Sequence, residues 1–244
     1  MINNSICLMF HDIVTSSDRS SGFQNKNAFQ YKVDETLFEK QVEALQGKKI
    51  IFTFDDGGVS FITKAAPILE KYGFKGVFFI STGYIGTPGF LTREQVKELS
   101  DRGHIVGSHS HTHPPLFTNL SKEEIKNEWK ESFDVLKEIT GKDSIPASIP
   151  NGYASKVVLD EAILCGLTEI YTSQPTVRSR LYKNHKIYGR YVVHSDMSVQ
   201  DVLRIVSSKP YRFKQSLKWH MLNVIKSVLG SSYDNIKATI INKG

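Results

Sequence analysis

The stretch Ile50-Ile51-Phe52-Thr53-Phe54-Asp55-Asp56-Gly57-Gly58 is an apolar run that stops abruptly at two adjacent carboxylates and two glycines. A near-continuous apolar run of this length suits a strand buried on both faces, and such strands belong to parallel sheets covered by helices. Alternation along a strand sends Asp55 and Asp56 to opposite sides, so two acids at its C-terminal end serve different partners. The glycines permit a sharp turn and the close approach of another group. Taken alone, Asp-Asp-Gly-Gly is equally the sequence of a plain β-turn.

Working outward, short β-branched or aromatic runs recur at residues 5–10, 76–81, 104–108, 169–173 and 188–193. Between them, residues 36–45, 60–72, 92–101, 121–140 and 156–165 place apolar side chains at three- and four-residue intervals, several behind a Ser or Thr cap. Alternating strands and helices predict a mainly parallel sheet under helices, as a barrel or a doubly wound sheet. At 244 residues one barrel fits as well as two small domains, and no repeat or linker divides the chain. The polar stretch 15–26 reads as a flexible surface loop. Cys7 and Cys165 are too few and too far apart for a disulfide framework or a thiolate metal site, and are expected to be buried and inert.

The chain carries 31 basic and 25 acidic residues, a net +6. Residues 1–200 hold 23 of each sign, so the whole excess lies in 201–244, with 8 basic against 2 acidic. That argues against a nucleic-acid-binding domain and for a local basic patch. No apolar run approaches the ~20 residues of a membrane span, and the opening MINNSICLMF lacks the regions of a secretory signal, so a cytoplasmic location is expected.

Four of the chain's eight histidines fall in His104-Ile-Val-Gly-Ser-His109-Ser-His111-Thr-His113. His109 and His113 are four apart, the spacing that brings two imidazoles to one side of a helical turn or tight loop around a metal. His111 faces away in either geometry. Two histidines and one carboxylate, with positions left for water and substrate, describe a catalytic zinc-type site. The second carboxylate is then free to act as general base on a water whose pKa falls from ~16 toward ~7 on zinc.

The order Thr53-Phe54-Asp55-Asp56-Gly57, then Gly107-Ser108-His109-Ser110-His111-Thr112-His113, then Pro150-Asn151-Gly152 resembles the polysaccharide deacetylases of carbohydrate esterase family 4, the NodB-homology domain. Leu8-Met9-Phe10-His11-Asp12 resembles the Tyr-His motif of the subfamily that processes bacterial exopolysaccharides, and the likeness runs over about residues 5–195. The resemblance implies a distorted (β/α)7 barrel, assigned to residues 1–206, and the charge and apolar spacing of the remainder give a basic, helical extension over 207–244. It implies Asp55 as general base, Asp56, His109 and His113 as ligands of a divalent metal, with zinc expected, and Pro150, Asn151 and Gly152 along the substrate groove. The implied reaction is hydrolysis of N-acetyl or N-formyl groups on an amino sugar during polysaccharide or glycoconjugate assembly. Rival readings are an exported peptidoglycan, chitin or xylan deacetylase and an inactive sugar-binding barrel.

The sequence departs from the family at two places. The third motif, Arg-x-Pro-aromatic-Gly, reads Ser148-Ile149-Pro150-Asn151-Gly152 here, without the arginine that pairs with the catalytic aspartate and without the aromatic. Arg190 either supplies that charge from a late strand or forms a surface ion pair; Asn151 is expected to widen or re-polarise the groove wall. The family's late histidine motif has no clean copy, leaving His194 and His11 as alternative general acids or structural histidines. In the tail, Leu217, Met221, Leu222, Ile225, Val228 and Leu229 recur at helical intervals among Lys214, Lys218 and Lys226. Such a stripe either packs on the barrel or lies on a membrane surface, where it would bring the enzyme to a lipid-linked sugar.

Overall fold

The computed structural model describes residues 6–152 and 154–229. Its strands are β1 (Ile6–Phe10), β2 (Ile13–Val14), β3 (Val33–Asp34), β4 (Ile50–Phe54), β5 (Gly76–Ile80), β6 (Ile105–Ser108), β7 (Ile145–Ser148), β8 (Leu167–Tyr171), β9 (Arg180–Tyr182), β10 (His185–Tyr188) and β11 (Tyr191–Val192). The helices are α1 (Lys26–Phe29), α2 (Glu35–Ala44), α3 (Ala66–Lys71), α4 (Arg93–Asp101), α5 (Lys122–Thr140), α6 (Lys156–Leu164), α7 (Val199–Ser207) and α8 (Lys209–Leu229).

The main sheet runs β11-β1-β4-β5-β6-β7-β8-β10-β9, and every pairing in it is parallel except the β9–β10 hairpin. Tyr188 ends β10 beside Tyr171 of β8, whereas Tyr191 starts β11 beside Leu8 of β1. The predicted strand over 188–193 is therefore two strands at opposite ends of the sheet order. Gly189 and Arg190 carry the chain between them, so a covalent crossing, rather than a ladder of hydrogen bonds, closes the distorted barrel. A side chain at Gly189 would put its Cβ 2.2 Å from the Gln174 carbonyl oxygen, which only glycine avoids.

Alternation assigns the two faces. Phe10, Phe52, Phe54 and Phe78 join the large apolar cluster under the helices, with Phe54 stacked 4.9 Å from Phe78. Cys7, Val77, Phe79 and Tyr171 form a second, small cluster on the other face. Burial pushes the Cys7 thiol up to about 12, so it is inert; Cys165, expected to be buried, is half-buried. Capping boxes at Thr92/Gln95, Ser121/Glu124 and Ser198/Asp201 start α4, α5 and α7.

β7 escapes a reading of the sequence because Pro146 cannot donate to a ladder; the strand accommodates it at a register shift between Ile145 and Ala147. The predicted helix over 60–72 opens as wide π-type turns at Phe61–Ala65 before α3, where Pro67 interrupts the amide ladder. The 15–26 segment, read as flexible, is tethered. Ser21 is buried, Gly22 N–H donates to the Gly89 carbonyl, and buried Lys32 donates to the carbonyls of Arg19 and Ser21.

His104 is a structural histidine. Its Nδ1 accepts from the Gly76 N–H at 3.1 Å and its Nε2 lies 3.1 Å from Glu70, which Arg102 also holds. An accepting Nδ1 belongs to a neutral ring, and burial pushes His104 down to about 4 from 6.5. The unfolded chain thus takes up a proton near pH 6.5 that the folded protein refuses until about 4. Stability is lost as pH falls through that window, by up to roughly 3 kcal/mol. Glu70, held down at about 2 by Arg102, loses its contribution only at lower pH. Urea unfolding at pH 7 and pH 5 should show His104→Gln with a smaller acid loss than the wild type; an identical loss would exclude His104 as its source.

Candidate active site

The two aspartates leave β4 in different directions because the backbone turns between them. The Asp55 N–H donates to the Phe10 carbonyl at 3.1 Å, which extends the strand by one residue and puts the Asp55 side chain on the face of Thr53. Asp56 has φ 89°, the left-handed region, and its carbonyl accepts from Ser81 N–H at 3.1 Å. At Gly58 a Cβ would lie 1.9 Å from Asp12 Oδ1, so glycine admits this buried carboxylate. Asp12 accepts from the hydroxyls of Ser21 and Ser60 and fastens the 15–26 segment over the site; burial raises its pKa.

His109, Asp56 and His113 converge. Asp56 Oδ1 lies 3.4 Å from His109 Nε2 and 3.4 Å from His113 Nε2. One donor atom from each of the three residues falls within 4.8 Å of the others. Two ligands held at ~2.0–2.1 Å around a tetrahedral ion stand about 3.4 Å apart, so the spacing fits a shared cation better than a direct hydrogen bond. His109 Nδ1 donates to the Ser148 carbonyl at 2.9 Å, which leaves Nε2 as the lone pair that a metal requires. Burial alone would raise Asp56, yet the imidazoles of His109 and His113 beside it hold it well below the usual carboxylate range. Burial likewise opposes a charged His113, and the neighbouring Asp56 carboxylate outweighs it, so His113 is raised.

The spacing of four between the histidines is realised in a tight loop, not a helix. Ser110 and His113 both have positive φ, at 64° and 53°. Glu128 of α5 accepts from the N–H groups of His111 and Thr112, both at 2.8 Å, and fixes this conformation. His111 faces away, with Nδ1 2.9 Å from Thr82 Oγ1 and Nε2 3.4 Å from Glu131. Phe23 of the 15–26 segment packs on the His113 ring at 5.1 Å.

Arg190 resolves the missing arginine. Its guanidinium is fully buried and forms a fork onto Asp55, Nη1 to Oδ1 at 2.7 Å and Nη2 to Oδ2 at 2.8 Å. Its other N–H groups donate to Ser148 Oγ, Thr53 Oγ1 and the Thr172 carbonyl, and its carbon lies 5.5 Å from the centre of the Phe79 ring. Ser148, which stands where the family has its arginine, also donates to Asp55 Oδ2 at 3.1 Å. The small residue leaves room for a guanidinium that arrives from the barrel closure instead. Burial would raise Asp55, but the charge of Arg190 prevails and lowers it, so it is ionised with His109 Nε2 3.9 Å away.

Of the two candidate acids, His11 stands within electrostatic reach of both Asp55 and Asp56. Its Nδ1 is buried without a hydrogen-bond partner among the described residues. Tyr31 stacks on His11 at 4.5 Å, and His194 stacks on Tyr31 at 5.1 Å, one ring further along. Pro150 and Gly152 are buried in the turn after β7. Asn151, expected to widen or re-polarise the groove wall, is exposed, takes φ 57° and donates its amide to the Pro115 carbonyl at 2.9 Å, bracing the loop that follows His113. Ser148, Glu128 and Tyr31 escaped the sequence reading, because each acts only across the fold. The one available signal was that Ser148 replaces an arginine.

Fold and donors together define the class: an α/β barrel with a two-histidine, one-carboxylate cation site and a second, arginine-held aspartate at the C-terminal ends of its strands. Comparison with known proteins agrees. The polysaccharide deacetylase family model matches residues 43–170, and this chain belongs to that family. The peptidoglycan-N-acetylmuramic acid deacetylase PdaA of Bacillus subtilis is 33% identical over 128 residues, 52% of this chain and 47% of its own length. The peptidoglycan-N-acetylglucosamine deacetylase PgdA of Listeria monocytogenes is 33% identical over 121 residues, 49% of this chain and 25% of its own. The chain thus spans about half or less of the curated relatives it matches. The solved structure of the Streptococcus pyogenes deacetylase PplD shares the fold, with TM-score 0.69 and 21% identity over 83% of this chain and 98% of that one.

Arg190→Ala would leave Asp55 as a buried, unpaired acid and should cost about 3–5 kcal/mol in urea unfolding. Adding Ser148→Arg to that variant should restore part of the loss by returning a guanidinium from the neighbouring strand. A loss below about 1 kcal/mol, the size of an exposed ion pair, would contradict the buried pairing.

Proposed function

We propose that the protein is a divalent-metal-dependent deacylase that removes acetyl groups from the amino sugars of a polysaccharide or peptidoglycan-type polymer. The observation that carries this reading is the convergence of Asp56, His109 and His113 on one point beside a separately held, ionised Asp55. A cation bound there, with zinc expected from the nitrogen and oxygen donors, would polarise the acyl carbonyl and make a bound water acidic.

The chain's own residues account for the proton traffic. Asp55 accepts the proton of the attacking water, and the fork from Arg190 keeps its carboxylate charged and fixed in plane until then. That same fork makes Asp55 a weak base, so its competence rests on a water already acidified. His11, half-buried next to both aspartates, is the donor to the departing amine. The names of the curated relatives support an N-acetylated glycan as substrate. Formyl release is the alternative that the same site chemistry accommodates.

A membrane-surface role for α8 has one supporting observation. Phe213, Leu217 and Met221 lie one turn apart and are 71%, 52% and 57% exposed, beside exposed Lys214 and Lys218. The aliphatic stripe therefore faces outward, over the part of the helix whose side chains are described; Ile225, Lys226, Val228 and Leu229 lie outside it. No helix of the described residues is long and apolar enough to cross a membrane.

Acetate or formate release from a panel of N-acylated amino-sugar oligomers tests the activity. Asp55→Asn should keep stoichiometric zinc by elemental analysis and lose at least ~10²-fold in kcat, whereas Asp56→Ala or His113→Ala should lose the metal itself. Retained turnover in the first variant, or retained zinc in the others, would overturn the assignment. In flotation with anionic vesicles, Phe213→Ser with Leu217→Ser and Met221→Ser should shift the protein to the soluble fraction; equal recovery of both forms would remove the membrane role.

A further inference from the structure

A cavity of about 290 Å³ is lined in part by Thr172 and Gln174, whose carbonyls accept from Arg190, and it stands at the lower edge of the roughly 300–1,000 Å³ that small-molecule pockets span. Its lining includes Gly152, Ala154, Thr172, Gln174, Arg180 and Trp219. Two of these belong to the backbone that holds Arg190, and a third follows Ser148 in the chain. Gly152 lies four residues beyond Ser148, the Thr172 carbonyl accepts from Arg190 Nε, and the Gln174 carbonyl accepts from Arg190 N–H. Trp219 reaches the cavity from α8, which turns this ring inward and half-buries it while its aliphatic stripe faces out. The cavity thus combines an indole face with an amide, a guanidinium and a hydroxyl. An indole covers the C–H face of a sugar ring, and planar polar groups at its edge bind the hydroxyls.

We infer that this cavity is a subsite for a sugar unit next to the one deacylated, and that Trp219 is its stacking platform, standing in for the aromatic that the turn after β7 lacks at Asn151. The inference rests on the proposed deacylase reading and deepens it: the substrate is an oligomer of N-acetylated amino sugars rather than a free monosaccharide, and α8 is a wall of its groove. Asn151 is exposed but offers no ring face, and its amide donates to the Pro115 carbonyl.

The full-length protein is compared with Trp219→Ala and Trp219→Phe, using the β-linked tetramer of N-acetylglucosamine and the monosaccharide as probes. For Trp219→Ala the KM for the tetramer should rise roughly tenfold, the scale of one lost aromatic contact, with a smaller change in kcat and in the monosaccharide KM. Trp219→Phe, which keeps a ring, should recover most of the affinity. Binding is read independently by tryptophan fluorescence: Trp129 is fully buried, so a tetramer-induced change in the wild type should vanish in Trp219→Phe. An unchanged tetramer KM, or a fluorescence change that survives in Trp219→Phe, would overturn the subsite. Tetramer binding through Trp219 without acetate release would uphold the subsite and sink the deacylase reading instead.

Discussion

A guanidinium with no access to water must find an anion and acceptors for its N–H groups, or its burial costs more than a domain's whole stability margin. Arg190 meets that demand with Asp55, Ser148, Thr53 and the Thr172 carbonyl. The Phe79 ring faces the guanidinium, with its centre 5.5 Å from the Arg190 carbon. Because Arg190 sits in the crossing from β10 to β11, closing the sheet and setting Asp55 are one structural event. A buried pair of this kind contributes little net stability over an apolar core. What it contributes is position: the carboxylate has one orientation, and it is ionised.

The neighbouring aspartate is handled differently although it is one residue away. The positive φ at Asp56 turns its carboxylate toward the two imidazoles, and the bond from His109 Nδ1 to Ser148 reserves the other ring nitrogen. Glu128 and Asn151 hold the histidine loop from two sides, through backbone N–H groups and the Pro115 carbonyl. Non-glycine residues in left-handed conformations at Asp56, Ser110, His113 and Asn151 mark strain of the sort that functional loops retain when surrounding bonds compensate for it. Ser148 links the two halves: its carbonyl orients a candidate metal ligand while its hydroxyl joins Asp55 and Arg190.

Much of this was readable in order along the chain. Apolar runs ending in Asp55-Asp56 and in the histidine cluster identified two buried strands and the residues at their ends, because burial pattern and side-chain alternation are local properties. The family resemblance rested on those same motifs and implied the barrel. Two misreadings share a cause in backbone chemistry. Pro146 hid β7, and the run over 188–193 concealed a crossing, because neither a register shift nor a change of strand partner leaves a periodic signal. The 15–26 segment looked free because its polar side chains gave no hint that Ser21 and the carbonyls of Arg19 and Ser21 find partners in Asp12 and Lys32.

The sequence by itself determined which residue types stand at the strand ends, and hence that two carboxylates and two imidazoles were available for acid, base and cation chemistry. Only the tertiary structure decided that Arg190, 135 positions from the Asp55 it holds, replaces the arginine absent at Ser148. It also set His11 near the aspartates with His194 one ring further along the stack, committed the Asn151 amide to the Pro115 carbonyl, and brought Trp219 of α8 to the cavity beside Thr172 and Gln174. The reason is physical: an ion pair or a stacking contact depends on distances of a few ångströms in space, and such distances between remote segments exist only once the sheet has closed.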